Sequence, residues 1–283
     1  MHVQIIIVPY DTARRGWRSG AGPEHLLRAG LVAHLQGKGH SVTEVQVIEA
    51  DAGQPPAEIA TGFELMAKVA VAVRAAREAR RFPLVLGGNC NSSVGVLSGL
   101  TPARRAVFWF DAHGDLNTPD TTASGFLDGT GLATALGLCW HVLAAGIPGF
   151  QPVESAATFL LGARDLDPPE AALVARAAIG AVSSARISAD LPAVLARAPL
   201  NGAVGYVHLD LDALDPTGVG HANTLPVPDG LSVEQLTVAI AAIRARIPLG
   251  AAALASYAPE FDSEGGVCRA AFAAIDAMLS EPA

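Results

Sequence analysis

Asp111, His113 and Asp115 occupy alternate residues directly after the apolar run Val107-Phe108-Trp109-Phe110. An ionised carboxylate is costly to bury without a partner, so a strand end carrying two of them beside an imidazole calls for a cation. The stretch "HLDLDALDP" repeats the spacing with Asp210 and Asp212. On extended backbone, residues i, i+2 and i+4 face one side, so each set is expected to present its side chains together. An isolated Asp-x-His pair at a strand end is ordinarily a loop or helix cap, and it is the second acidic strand end that points to metal. Four carboxylates and an imidazole suit a hard or borderline divalent ion such as Mn²⁺ better than a thiolate-rich zinc site would. Two ions are expected, sharing bridging carboxylates and lowering the pKa of a water between them towards neutrality.

Elements able to hold such clusters are legible along the chain. Short apolar runs, "VQIIIV", "VTEVQVI", "PLVLGG", "AVFWFDAHGD", "ATFLLGARD", "GAVGYVHLDLD" and "GAAALASYA", read as strands. Between them lie helical periodicities: Leu27, Leu31 and Leu35 after Pro23, then Phe63, Met66, Ala70 and Val73, with Phe272, Ile275 and Leu279 closing the chain. Runs apolar on both faces imply a mainly parallel central sheet covered by helices, an α/β fold. Polar clusters follow several strand ends, at Gly87-Gly88-Asn89-Cys90, 111–115, 164–167 and 210–212, and in open α/β sheets ligands bind at the carboxyl ends of strands. "DAGQPPAE" (51–58) and "DPTGVGHANTLPVPDG" (215–230) read as loops, the second long enough to line a pocket.

Composition narrows the class of partner. The 283 residues are 51% hydrophobic and 16% charged, which suits a single folded domain over 1–283 and excludes a disordered chain. No apolar run reaches the length of a membrane span, and the start of the chain reads as a strand and not as a secretion signal, so a cytoplasmic protein is expected. A formal charge of −8 without a basic stripe argues against nucleic acid. Three scattered cysteines make neither a disulfide framework nor a zinc knuckle. A small-molecule ligand fits best.

The motifs also carry a resemblance. "DAHGDLNTPDTTASG" resembles the Asp-Ala-His-x-Asp segment of the arginase (ureohydrolase) family, and "HLDLDALDP" its Asp-x-Asp-x-x-Asp-Pro segment, while "GPEHLLRAGL" and "GARDLDPPE" are similar to further family segments in order and spacing. The resemblance implies a three-layer αβα fold, two Mn²⁺ ions, and hydrolysis of a guanidino-type C–N bond by a hydroxide bridging the metals. By position it implies that Asp111, Asp115 and Asp210 hold one ion and that Asp111, His113, Asp210 and Asp212 hold the other. It also implies binding of an amino-acid head group by Asn117, Ser124 and Asp167, with Glu170 and Thr224 nearby, and assembly into a homo-oligomer.

Three departures from the family pattern bear on substrate. Cys90 stands where the family has a histidine ligand, and a nearby dication would favour its thiolate. Asp128 stands where arginases carry a histidine that shuttles protons, so Asp115 and Asp128 are the candidate catalytic groups. Ser256 stands where a glutamate would pair with the substrate guanidinium, with Glu260 and Glu264 close by but out of register. A guanidinium buried without that partner carries a large desolvation penalty, so a tail less basic than arginine's is expected. A narrower resemblance, to the Nω-hydroxy-L-arginine hydrolase branch, rests on the cysteine and the absent histidine. Agmatinase, guanidino-acid hydrolase and true arginase are the alternatives, and a metal-binding pseudoenzyme is the alternative from another class.

Overall fold

A computed structural model describes residues 1–52 and 57–280. The strands of its main sheet are β1 (His2–Val8), β2 (Ser41–Val47), β3 (Phe82–Gly87), β4 (Arg104–Phe110), β5 (Thr158–Leu161), β6 (Gly180–Val182), β7 (Ala203–Asp210) and β8 (Leu249–Ala255), and Tyr10–Asp11 pairs with Arg14–Arg15 in a separate antiparallel ribbon. The main sheet is eight-stranded in the order β2-β1-β3-β8-β7-β4-β5-β6, with every pairing parallel.

Because strand side chains alternate, each central strand feeds two cores. Val3, Ile5, Ile7, Phe108, Phe110, Val207 and Leu209 point to one face. Ile6, Val8, Val107, Trp109 and Tyr206 point to the other. The first face is covered by α1 (Gly22–Arg28), α2 (Leu31–Gly37), α8 (Ile187–Arg197), α9 (Val233–Arg246) and α10 (Gly266–Leu279). The second is covered by α3 (Glu58–Glu78), α4 (Ser92–Gly99), α5 (Gly131–Ala135), α6 (His141–Ala145) and α7 (Pro168–Arg176). The result is the three-layer αβα arrangement.

Two details depart from the pattern read in the sequence. The leucine periodicity after Pro23 spans two helices, since Gly30 adopts φ +95° between them, a left-handed conformation that glycine tolerates and that ends a helix. Strand β6 is only three residues long and was not anticipated, because "GAV" carries too little apolar signal. Residues 53–56 of the expected 51–58 loop lie outside the described residues, whereas 215–230 is a loop as expected, joined to itself by a Leu214–Leu231 bridge. Among the described residues no helix is long and apolar enough to cross a membrane.

The strand end at Gly87-Gly88 shows what positions the site. A Cβ on Gly88 would collide with the Tyr10 carbonyl oxygen and approach the Gly20 backbone within 2.8 Å. Only a glycine lets the segment following β1 pass this close to the end of β3.

Candidate metal centre

Strand β4 ends at Phe110 and β7 at Asp210, and each acidic motif then turns in the same way. The His113 amide donates to Asp111 Oδ1 at 2.7 Å, and the Asp212 amide donates to Asp210 Oδ1 at 2.8 Å. These are Asx turns, in which a leading carboxylate captures the amide two residues on. They correct the expectation of an extended segment with its alternate side chains in line. The residues do converge, but by the chain folding around its first carboxylate, and Asp115 reaches the cleft from a left-handed backbone (φ +50°).

His113 joins the two turns. Its Nδ1 lies 3.4 Å from Asp111 Oδ1 and 3.3 Å from Asp212 Oδ2. Burial opposes charge on the ring, yet the two carboxylates outweigh it and push its pKa up to about 12. Asp212 also accepts from the Ala112 amide at 3.2 Å and from Asn223 Nδ2 at 3.1 Å. Burial works against its charge, but these donors and His113 hold its pKa below the usual carboxylate value.

On the other side, the Cys90 thiol donates to Asp210 Oδ2 at 2.9 Å and lies 3.3 Å from Ser256 Oγ. Burial, reinforced by neighbouring carboxylates, pushes the Cys90, Asp115 and Asp210 pKa values up. Asp115 Oδ2 is buried with no hydrogen-bond partner among the described residues. Four buried carboxylates and a thiol compensated by a single imidazole form a donor set that fits divalent cations. Two three-residue groups, Asp111–His113–Asp212 and Cys90–Asp111–His208, each bring their donor atoms within 4.8 Å of one another, and they share Asp111.

Cys90, His113, Asp115, Asp210 and Asp212 line a cleft of about 390 Å³, with Asp111 and His208 buried beneath it. Asn117, Ser124, Asp128, Asp167, Glu170 and Thr224 line it as well. Asn117 Nδ2 donates to Asp167 Oδ2 at 2.8 Å, coupling the β4 and β5 loops. Glu170 is committed to that scaffold: its oxygens accept the Leu116 and Asp167 amides, each at 2.9 Å. Ser124 and Thr224 sit on exposed loop backbone at the rim. Asp128 accepts from the Asn91 amide at 2.7 Å and from Asn89 Nδ2 at 2.9 Å. Burial, offset in part by these donors, places its pKa at about 7.

Some cleft residues carried no sequence signal. Asp11 and Arg18 line the cleft from the segment after β1, and Asn89 Nδ2 lies 3.4 Å from Asp11 Oδ1. Glu260 and Glu264 do not line it, so Asp11 and not either glutamate brings an additional carboxylate to the cleft wall, beside Asn89. Asn223 belongs to the 215–230 loop, whose pocket-lining role was legible though its residue was not. Arg164 fastens that loop by donating to the Asp212, Val227 and Pro228 carbonyls at 2.9, 2.7 and 2.8 Å; the "GARD" run marked the turn but not this duty.

Comparison with known proteins places the site in context. The Arginase family model matches residues 1–280. An arginase from Brevibacillus brevis is 30% identical over 302 residues, covering 99% of this chain and 98% of the relative. The solved arginase from Bacillus caldovelox superposes with a TM-score of 0.89 at 26% identity, covering 99% and 98% of the two chains. The formimidoylglutamase of Bacillus subtilis shares the fold, with a TM-score of 0.74 at 18% identity over 98% and 86% of the chains.

Proposed function

This chain belongs to the arginase family, and from that premise we propose that it hydrolyses a guanidino-type C–N bond of an amino-acid-like substrate using two Mn²⁺ ions. The observation that carries the proposal is the meeting of Cys90, Asp111, His113, Asp115, Asp210 and Asp212 in and beneath one cleft. In this reading Cys90, Asp111, Asp115 and Asp210 hold one ion, and Asp111, His113, Asp210 and Asp212 hold the other. The bound ions would supply a water ionised near neutral pH and a Lewis acid for the carbon under attack.

The chain's own groups supply binding and proton transfer. Asn117 and Ser124 donate to the substrate α-carboxylate, and Asp167, steadied by Asn117 at 2.8 Å, accepts from the α-ammonium. Asp128, with a pKa of about 7, holds a proton at the pH where a leaving amine needs one. The unpartnered Asp115 Oδ2 accepts a proton from the attacking water. With Ser256 beside Cys90 in place of a carboxylate, the tail that fits is less basic than arginine's, and Nω-hydroxy-L-arginine is the substrate proposed.

Asp11 supports a second reading. A carboxylate beside Asn89 offers a partner for a cationic tail, which favours arginase activity proper. The test is turnover of Nω-hydroxy-L-arginine, L-arginine and agmatine at equal concentration with Mn²⁺. The first reading expects Nω-hydroxy-L-arginine to lead by about ten- to a hundredfold, the worth of one charged hydrogen bond, and the double change Asp128→His with Ser256→Glu to move the preference towards L-arginine. L-arginine leading in the unmodified protein, with Asp11→Asn removing that lead, establishes the second reading. Bound metal without turnover of any of the three would indicate a binding protein.

A further inference from the structure

His208 has no role in the site as described so far, yet it lies directly beneath it. It occupies β7 two residues before Asp210, and strand alternation puts it on the face of Tyr206 and Trp109. The side chain is fully buried, and Nε2 has no hydrogen-bond partner among the described residues. Its other ring nitrogen is held: Nδ1 lies 2.9 Å from Ser93 Oγ, which accepts from the Tyr206 hydroxyl at 2.7 Å. Trp109 packs against the imidazole with ring centroids 3.8 Å apart and planes tilted by 32°, and it donates from Nε1 to Asp111 Oδ2 at 3.0 Å, so one indole contacts both residues.

We infer that His208 is a ligand of the ion bound by Cys90 and Asp111, and that the centre therefore has one imidazole on each side of a shared Asp111. A ring nitrogen of His208, the Cys90 sulfur and an Asp111 oxygen lie within 4.8 Å of one another. Bonds of about 2.0–2.3 Å from one ion place adjacent donors about 3–3.5 Å and opposed donors about 4.5 Å apart, so side-chain adjustment of no more than about 2 Å brings the three donors onto one ion. A ligating histidine ordinarily anchors its second nitrogen on a hydrogen-bonding neighbour. Here Nδ1–H would donate to Ser93 Oγ, leaving Nε2 for the metal. This assignment rests on the two-ion reading proposed above.

The test counts metal-bound imidazoles in the Co²⁺-loaded full-length protein, using the strongly shifted ring N–H resonances in its paramagnetic NMR spectrum and bound Co²⁺ by elemental analysis. Two such resonances are expected, one lost in His208→Gln and the other in His113→Gln. Should His208→Gln fail to fold, His113→Gln alone decides: one surviving shifted resonance supports the assignment, and none overturns it. Two bound ions with a single resonance that vanishes in His113→Gln overturn the role of His208 and leave the two-ion reading intact. Failure to bind Co²⁺ at all overturns both.

Discussion

At the residue scale the site is organised by competition between protons and metal for the same donors. The Cys90 thiol donates to Asp210, His113 lies between Asp111 and Asp212, and the pKa values of His113, Asp115 and Asp210 are pushed up. A bound ion takes the place of those protons, so binding releases them. Because Cys90, His113, Asp115 and Asp210 bind metal in deprotonated form and have their pKa values pushed up, while only Asp212 among the ligand carboxylates has its pKa lowered, apparent affinity falls as pH falls. Each proton released weakens binding about tenfold per pH unit. Calorimetric Mn²⁺ titrations in buffers of different ionisation enthalpy check this, and a buffer-independent heat with flat affinity between pH 6 and pH 9 would refute it. Cys90 has a separate test: Cys90→His keeps metal binding, since imidazole suits Mn²⁺, while Cys90→Ala weakens it about tenfold or more. Equal affinity in Cys90→Ala and the unmodified chain would remove the thiol from the ligand set.

At the scale of elements, the strands carry their own signature and the turns do not. Runs apolar on both faces, such as "VFWF" and "VQIIIV", identified central parallel strands, and β6 escaped because three small residues make no pattern. The acidic motifs were legible as a group through spacing alone. Their geometry was not, because an Asx turn and an extended segment place the same residue types at the same intervals. Asp11 and His208 carried no signal for other reasons: Asp11 reaches the cleft through the non-local Gly88–Tyr10 approach, and His208 sits inside an apolar strand two residues before Asp210, packed against Trp109. That approach sets a prediction. Gly88→Ala forces the segment after β1 away from β3, costing about 1–3 kcal/mol of stability as overpacking does and loosening Asp11 from Asn89. A denaturation midpoint equal to that of the parent chain would show that the close approach carries no strain.

At the scale of the whole molecule, the eight-stranded sheet directs the carboxyl ends of β3, β4, β5, β7 and β8 to one cleft, and a substantial share of the buried acidic side chains gathers there. The formal charge of −8 therefore overstates the acidity of the surface. A family-wide fold supplies the frame, while Cys90, Asp128 and Ser256 set this chain apart within it, with selectivity assigned to the tail end of the cleft. All of this depends on two cations held through shared Asp111 and Asp210. The most direct measurement is the number of Mn²⁺ ions bound per chain at saturation, by equilibrium dialysis and elemental analysis, for the unmodified protein and Asp111→Asn side by side. The account predicts two ions in the former and loss of both in the latter, whereas one ion or none in the unmodified protein, or two retained without Asp111, would contradict it.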